Sequence, residues 1–96
     1  MKRSSVLKLL SEHKPELFRR FGVTDLALFG STVRDAAKED SDIDILVAFE
    51  GPATSERYFG VQFYLEDLLG RPVDLVTDKA LRPELRPHVA REAVHV

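Results

Sequence analysis

The chain has no cysteine among its 96 residues. Disulfides and thiolate metal sites are therefore excluded. Long apolar runs are missing too: none approaches the roughly 20 residues that a helix needs to span a bilayer. The start, Met1-Lys2-Arg3-Ser4-Ser5, is basic, but the apolar stretch behind it is broken by Lys8 and then by Ser11-Glu12-His13-Lys14. It does not read as a signal peptide. No membrane partner is expected, and the pattern fits a cytoplasmic protein. Nor is there an excess of charge of one sign. A formal net charge of -2 gives no global electrostatic case for nucleic acid as a direct partner. The arginines are scattered along the chain, so a local basic face stays open. Repeats, low-complexity segments and linkers are absent, and residues 1–96 are expected to form a single domain with one modest core.

What is present reads as alternating helices and strands. Val6, Leu9 and Leu10 repeat at helical spacing. Pro15 is expected to interrupt that helix, because residues before a proline avoid the helical region. A second short helix from Pro15 would turn Leu17, Phe18 and Phe21 inward and stop at Gly22. Residues 24–29 read as a first strand. Gly30-Ser31 then turns into a short helix through about Ala37, followed by a polar loop, Lys38-Glu39-Asp40-Ser41. Residues 42–49, rich in Ile, Val and Phe, read as a second strand. Gly51-Pro52 breaks it. Ser55 is the expected N-cap of a helix over 56–69, with Val61, Tyr64 or Leu65, and Leu68 inward, and with Gly70 ending it. Gly60 inside this helix costs about 1 kcal/mol against alanine. Residues 72–76 read as a third strand, on an edge or just beginning at its proline. Leu81, Leu85 and Val89 mark a last helical stretch interrupted by Pro83 and Pro87, and residues 93–96 add a short strand. The fold class is α/β, or α+β: a small sheet covered by helices.

Two aspartates stand out. Successive side chains of a strand point to opposite faces, so Asp42, Asp44, Leu46 and Ala48 share one face. Ile43, Ile45, Val47 and Phe49 share the other and face a core. Alternate residues lie roughly 6.6 Å apart along a strand, so the two carboxylates converge on metal ions or else repel each other. Mg²⁺ takes oxygen ligands, usually one or two carboxylates completed by water and substrate phosphates. A second ion roughly 3.5–4 Å away would let one metal activate the attacking oxygen and the other steady the leaving group. Asp74, between Val73 and Leu75, joins this cluster if its strand neighbours that of Asp42. Taken alone, Asp-x-Asp more often marks a solvated strand face, and Asp74 an exposed edge position.

Ahead of the aspartates, Gly30-Ser31 follows a strand and precedes a helix. Free backbone N–H groups at such a turn suit an anion. Glycine lets the backbone approach a phosphate, and the serine hydroxyl adds a donor. Arg34 lies one turn on, where a guanidinium suits phosphate oxygens. Singly, a serine at a helix start usually caps, and an arginine there is usually solvated. Together, a strand, Gly-Ser, a helix, a loop, an Asp-x-Asp strand and a later Asp on a strand point to nucleotidyl transfer.

The hallmark Gly30-Ser31, ten residues, then Asp42-Ile43-Asp44 resembles the minimal nucleotidyltransferase family of the DNA polymerase β-like superfamily. The stretch Ser41-Asp42-Ile43-Asp44-Ile45-Leu46-Val47 and the tail with Arg91-Glu92-Ala93-Val94 add to the likeness, which covers nearly the whole chain. The resemblance implies a small mixed β-sheet flanked by helices. It implies that Gly30 and Ser31 hold the triphosphate of an NTP, with ATP the expected donor, and that Asp42, Asp44 and Asp74 hold two Mg²⁺ ions. It also implies a HEPN-type toxin as partner, with this chain the antitoxin that attaches AMP to a tyrosine. Two other readings are an idle antitoxin that neutralises by contact, and a small-molecule nucleotidyltransferase of the aminoglycoside type. The chain is too short for the second, helical domain of larger relatives, so a partner chain is expected to supply the missing wall. Relatives often carry alanine and glycine where this chain has Val33 and Asp35, and Asp35 brings negative charge towards the phosphate turn. His13, His88 and His95 lack metal-ligand spacing. Tyr58 and Tyr64 are expected in core or interface, and Arg82 and Arg86 on a solvated face.

Overall fold

The computed structural model describes residues 2–34 and 42–96. In chain order these form α1 (Arg3–Phe21), β1 (Val23–Phe29), a 3-10 turn (Gly30–Thr32), β2 (Ile43–Phe49), α2 (Ser55–Leu69), β3 (Val73–Thr77), a second 3-10 turn (Asp78–Ala80), α3 (Arg86–Glu92) and β4 (Val94–His95). The strands make one mixed sheet in the order β3-β2-β1-β4. β1 runs antiparallel to β2 and β4, whereas β2 and β3 are parallel. A parallel pair needs a crossover, and α2 supplies it. β3 is an edge strand, as its leading proline suggests.

Period-two burial decides which face of the sheet is the core. Ile43, Ile45 and Val47 are fully buried or nearly so, while the residues between them are not. They pack with Val6, Leu10 and Leu17 of α1 and with Val61 and Leu65 of α2 in a single apolar cluster. Both long helices therefore cover one face of the sheet. The other face carries the alternate residues of β2, among them Asp44.

Several local expectations need correction. Pro15 does not divide the first helical region: α1 is one helix of 19 residues with Pro15 inside it. Pro15 and Ser11, whose carbonyl loses its helical partner to the proline, are both exposed residues, on the side where a helix can bend away from the core. Continuity keeps Val6, Leu10 and Leu17 on one buried stripe. Phe18, expected inward, is 50% exposed; Leu17 takes the inward position beside it. The cap of α2 is Thr54, whose hydroxyl accepts from the Arg57 N–H, and Ser55 is the first helical residue. The element after β1 is a 3-10 turn over Gly30–Thr32; the expected continuation to Ala37 and the polar loop 38–41 lie outside the described residues.

Gly22 and Gly70 end α1 and α2 in the left-handed conformation. Tyr58 and Tyr64 are partly buried: the Tyr58 hydroxyl donates to the Leu75 carbonyl, and the Tyr64 hydroxyl bonds the His13 ring at 2.6 Å. The last helical stretch is shorter than its apolar spacing suggests: α3 begins at Arg86, Leu81 and Leu85 lie ahead of it, and Pro87 does not interrupt the helix but sits in its first turn, where a missing N–H does no harm. Val89 is buried, and Leu85 is 46% exposed. Among the described residues no helix is long and apolar enough to cross a membrane.

Candidate active site

The parallel register of β2 and β3 pairs Asp44 directly with Asp74. In-register residues of adjacent strands point to the same face, so the third carboxylate does join the site. Asp42 immediately precedes β2 on the same alternation and is exposed. On the other side of β2, the antiparallel register sets Phe29 against Asp44. The chain then leaves β1 through Gly30, directly over that carboxylate.

Gly30 has φ 73°, the left-handed region that glycine enters without strain. It also lacks the atom that would collide: a Cβ there would lie 2.1 Å from Asp44 Oδ2. Glycine at this position thus serves both the turn and the close approach of backbone to carboxylate. Ser31 follows in the 3-10 turn and is partly buried. Thr32 is 1% exposed, and its hydroxyl finds no partner among the described residues.

Asp44 reports the electrostatics of this crowding. Its pKa is pushed up from 3.8 to about 6, first by burial, then by the charge and hydrogen bond of Asp74 and the charge of Asp42, with Arg34 opposing. Each cause disfavours the ionised form except the arginine. Asp44 and Asp74 are close enough to hydrogen-bond as a carboxyl pair. Among the described residues, no three acidic or histidine side chains surround one ion position as they stand. The donor set nonetheless suits a hard divalent cation: oxygen ligands only, facing solvent, with repulsion that an ion would relieve.

Arg34 does not stand free as an arginine awaiting phosphate. Its guanidinium Nη1 donates to Glu92 Oε1, at the end of α3. Glu92 also faces His88 Nε2 at 3.7 Å. On the opposite flank, Arg3 Nη1 of α1 donates to the Val33 carbonyl at 3.3 Å. The turn after β1 is thus tied to both ends of the described chain. Glu92 has no assigned role in the sequence-based reading, although it stands in the tail motif Arg91-Glu92-Ala93-Val94. Asp35 lies outside the described residues. The remaining histidine, His95, bonds Asp25 at 2.9 Å on the surface, and Arg86 donates to the Asp78 carbonyl.

A mixed sheet with Gly-Ser poised over paired carboxylates defines a nucleotidyltransferase. Residues 10–95 match the nucleotidyltransferase domain family, and the chain belongs to that family. Its relatives narrow the class. It is 48% identical over 88 residues to the protein adenylyltransferase MntA of Thermococcus cleftensis, covering 92% of this chain and 89% of that protein. A solved structure described as a minimal nucleotidyltransferase superposes with a TM-score of 0.82 at 40% identity, over 98% of this chain and 95% of the other. The fold is also that of a chain in a complex from Shewanella oneidensis of a tri-AMPylated HEPN toxin with an MNT antitoxin. There the TM-score is 0.60 at 22% identity, over 97% of this chain and 66% of that one.

Proposed function

We propose that this protein is an antitoxin that transfers AMP from ATP to a hydroxyl of a HEPN-type toxin, the acceptor being a tyrosine. The observation that carries this reading is the Asp44–Asp74 pairing beside Gly30, in a chain that is nearly half identical to a protein adenylyltransferase. The acceptor oxygen attacks the α-phosphorus of ATP. A new P–O bond forms, the bond to the β-phosphate oxygen breaks, and pyrophosphate leaves. The acceptor proton passes to a carboxylate of the site or to water.

In this reading Gly30 and Ser31 seat the β- and γ-phosphates against the backbone, and Arg34 meets them from the side. Asp42, Asp44 and Asp74 would hold two Mg²⁺ ions. When bound, Mg²⁺ supplies charge neutralisation at the phosphates and at the attacking and leaving oxygens. The carboxylates themselves orient the acceptor hydroxyl and accept its proton. Little covalent chemistry falls to the protein, so positioning and electrostatics account for the rate. ATP as donor places the activity in the cytoplasm.

The test uses the protein co-purified with its HEPN-type partner and ATP labelled at either the α- or the γ-phosphate. Label from the α-phosphate is expected on the partner, with none from the γ-phosphate, and unlabelled ATP should compete better than the other NTPs. Label from the γ-phosphate would make the reaction a phosphoryl transfer and overturn the reading.

A further inference from the structure

Arg34 lies just beyond the turn after β1, and Glu92 of α3 holds it. The Glu92 side chain is only 16% exposed, against 54% for the arginine side chain. The contact joins residues 58 apart in sequence. Its other neighbour, His88, lies at 3.7 Å, beyond hydrogen-bond distance. Arg34 is therefore the direct partner of a mostly buried anion, and the bond occupies one terminal amino group. A guanidinium has five N–H donors in a fixed planar fork. With Nη1 committed to Glu92, the guanidinium has no other hydrogen-bond partner among the described residues, which leaves its other edge to an anion.

We infer that Glu92 is a positioning residue for nucleotide binding: it anchors one edge of Arg34 so that the opposite edge is presented to the triphosphate above Gly30 and Ser31. This rests on the reading of Arg34 as a nucleotide contact. An untethered arginine at an exposed position samples many rotamers and loses that freedom when it meets a phosphate. Anchored to Glu92, it has lost much of that freedom beforehand. The same contact ties α3 to the site, which gives the tail motif a role in nucleotide affinity as well as in the fold.

The sign of the effect separates this role from a simple field effect. Removing a negative charge near a triphosphate should tighten binding by Coulomb attraction alone. Removing an anchor should weaken it. The measurement is the dissociation constant of a non-hydrolysable ATP analogue with Mg²⁺, by calorimetry, for wild type, Glu92→Gln, Arg34→Gln and the double variant. Glu92→Asp serves as the conservative variant, and melting curves check each protein's fold. The expected result is weaker binding in Glu92→Gln by about three- to fivefold, the scale of one partly exposed charge pair. Arg34→Gln should weaken binding at least as much, the double variant no more than Arg34→Gln, and Glu92→Asp should recover most of the loss. Unchanged or tighter binding in Glu92→Gln, or additive losses in the double variant, would overturn the inference while leaving Arg34 as a contact. If Arg34→Gln binds like wild type, the contact itself fails, and the anchor with it.

Discussion

Asp44 concentrates the forces of the site on one carboxyl group. It is hemmed in by Gly30 in the turn after β1 and by Asp74 on β3, and its pKa rises to about 6. A carboxyl whose folded pKa lies above its unfolded value stabilises the fold when protonated. That contribution is fully present below about pH 3.8 and is lost as pH rises through about 6. Asp44→Asn keeps a neutral side chain of the same shape. It should melt close to wild type near pH 4 and above it at pH 8, where wild type must hold an ionised Asp44 beside Asp74. Parallel melting curves across that range would show that Asp44 is not under this strain. The shared face of Asp42 and Asp44 was legible in the sequence because strand alternation fixes it, whereas the approach of Asp74 was conditional on a strand pairing that only the structure shows. The ion pair of Arg34 was not legible, since nothing local points to a glutamate 58 residues away.

At the level of elements, packing overrules propensity twice. Pro15 is a helix breaker by local preference, yet α1 runs through it, because a solvent-facing break costs less than dividing the stripe of Val6, Leu10 and Leu17. Gly60 is the second case. Helix propensity alone favours alanine there by about 1 kcal/mol. A Cβ at Gly60, however, would lie 2.4 Å from Cε1 of Phe21, a ring packed against the core cluster. The missing Cβ is what lets α2 approach the end of α1. Overpacking of this kind costs about 1–3 kcal/mol, so Gly60→Ala should lower stability despite its better propensity. Urea unfolding measures this directly; a higher midpoint in the variant would mean that Phe21 yields freely. Such contacts are invisible to periodicity, which places apolar residues on a face without saying how closely two faces meet. Phe18 illustrates the same limit: its spacing allows an inward place, but Leu17 fills it. The choice between Thr54 and Ser55 as cap is finer still, since adjacent hydroxyl residues offer the same chemistry.

Across the whole molecule the architecture divides labour between the two faces of one sheet. α1 and α2 bury one face and supply the core. The opposite face presents the carboxylates, with α3 tied to it through Glu92 and Arg34. The fold class and the order of strands along the chain follow from alternation, turn residues and helix ends. The parallel pairing of β2 with β3, which the site depends on, is set by the crossover through α2. The activity proposed for this shared face is nucleotidyl transfer onto a partner. Its most direct test is the intact mass of the HEPN-type protein co-purified with wild type beside Asp42→Asn/Asp44→Asn. One or more added AMP masses with wild type, and none with the variant, is the predicted result. An unmodified partner bound equally by both forms would contradict the claim and leave neutralisation to contact alone.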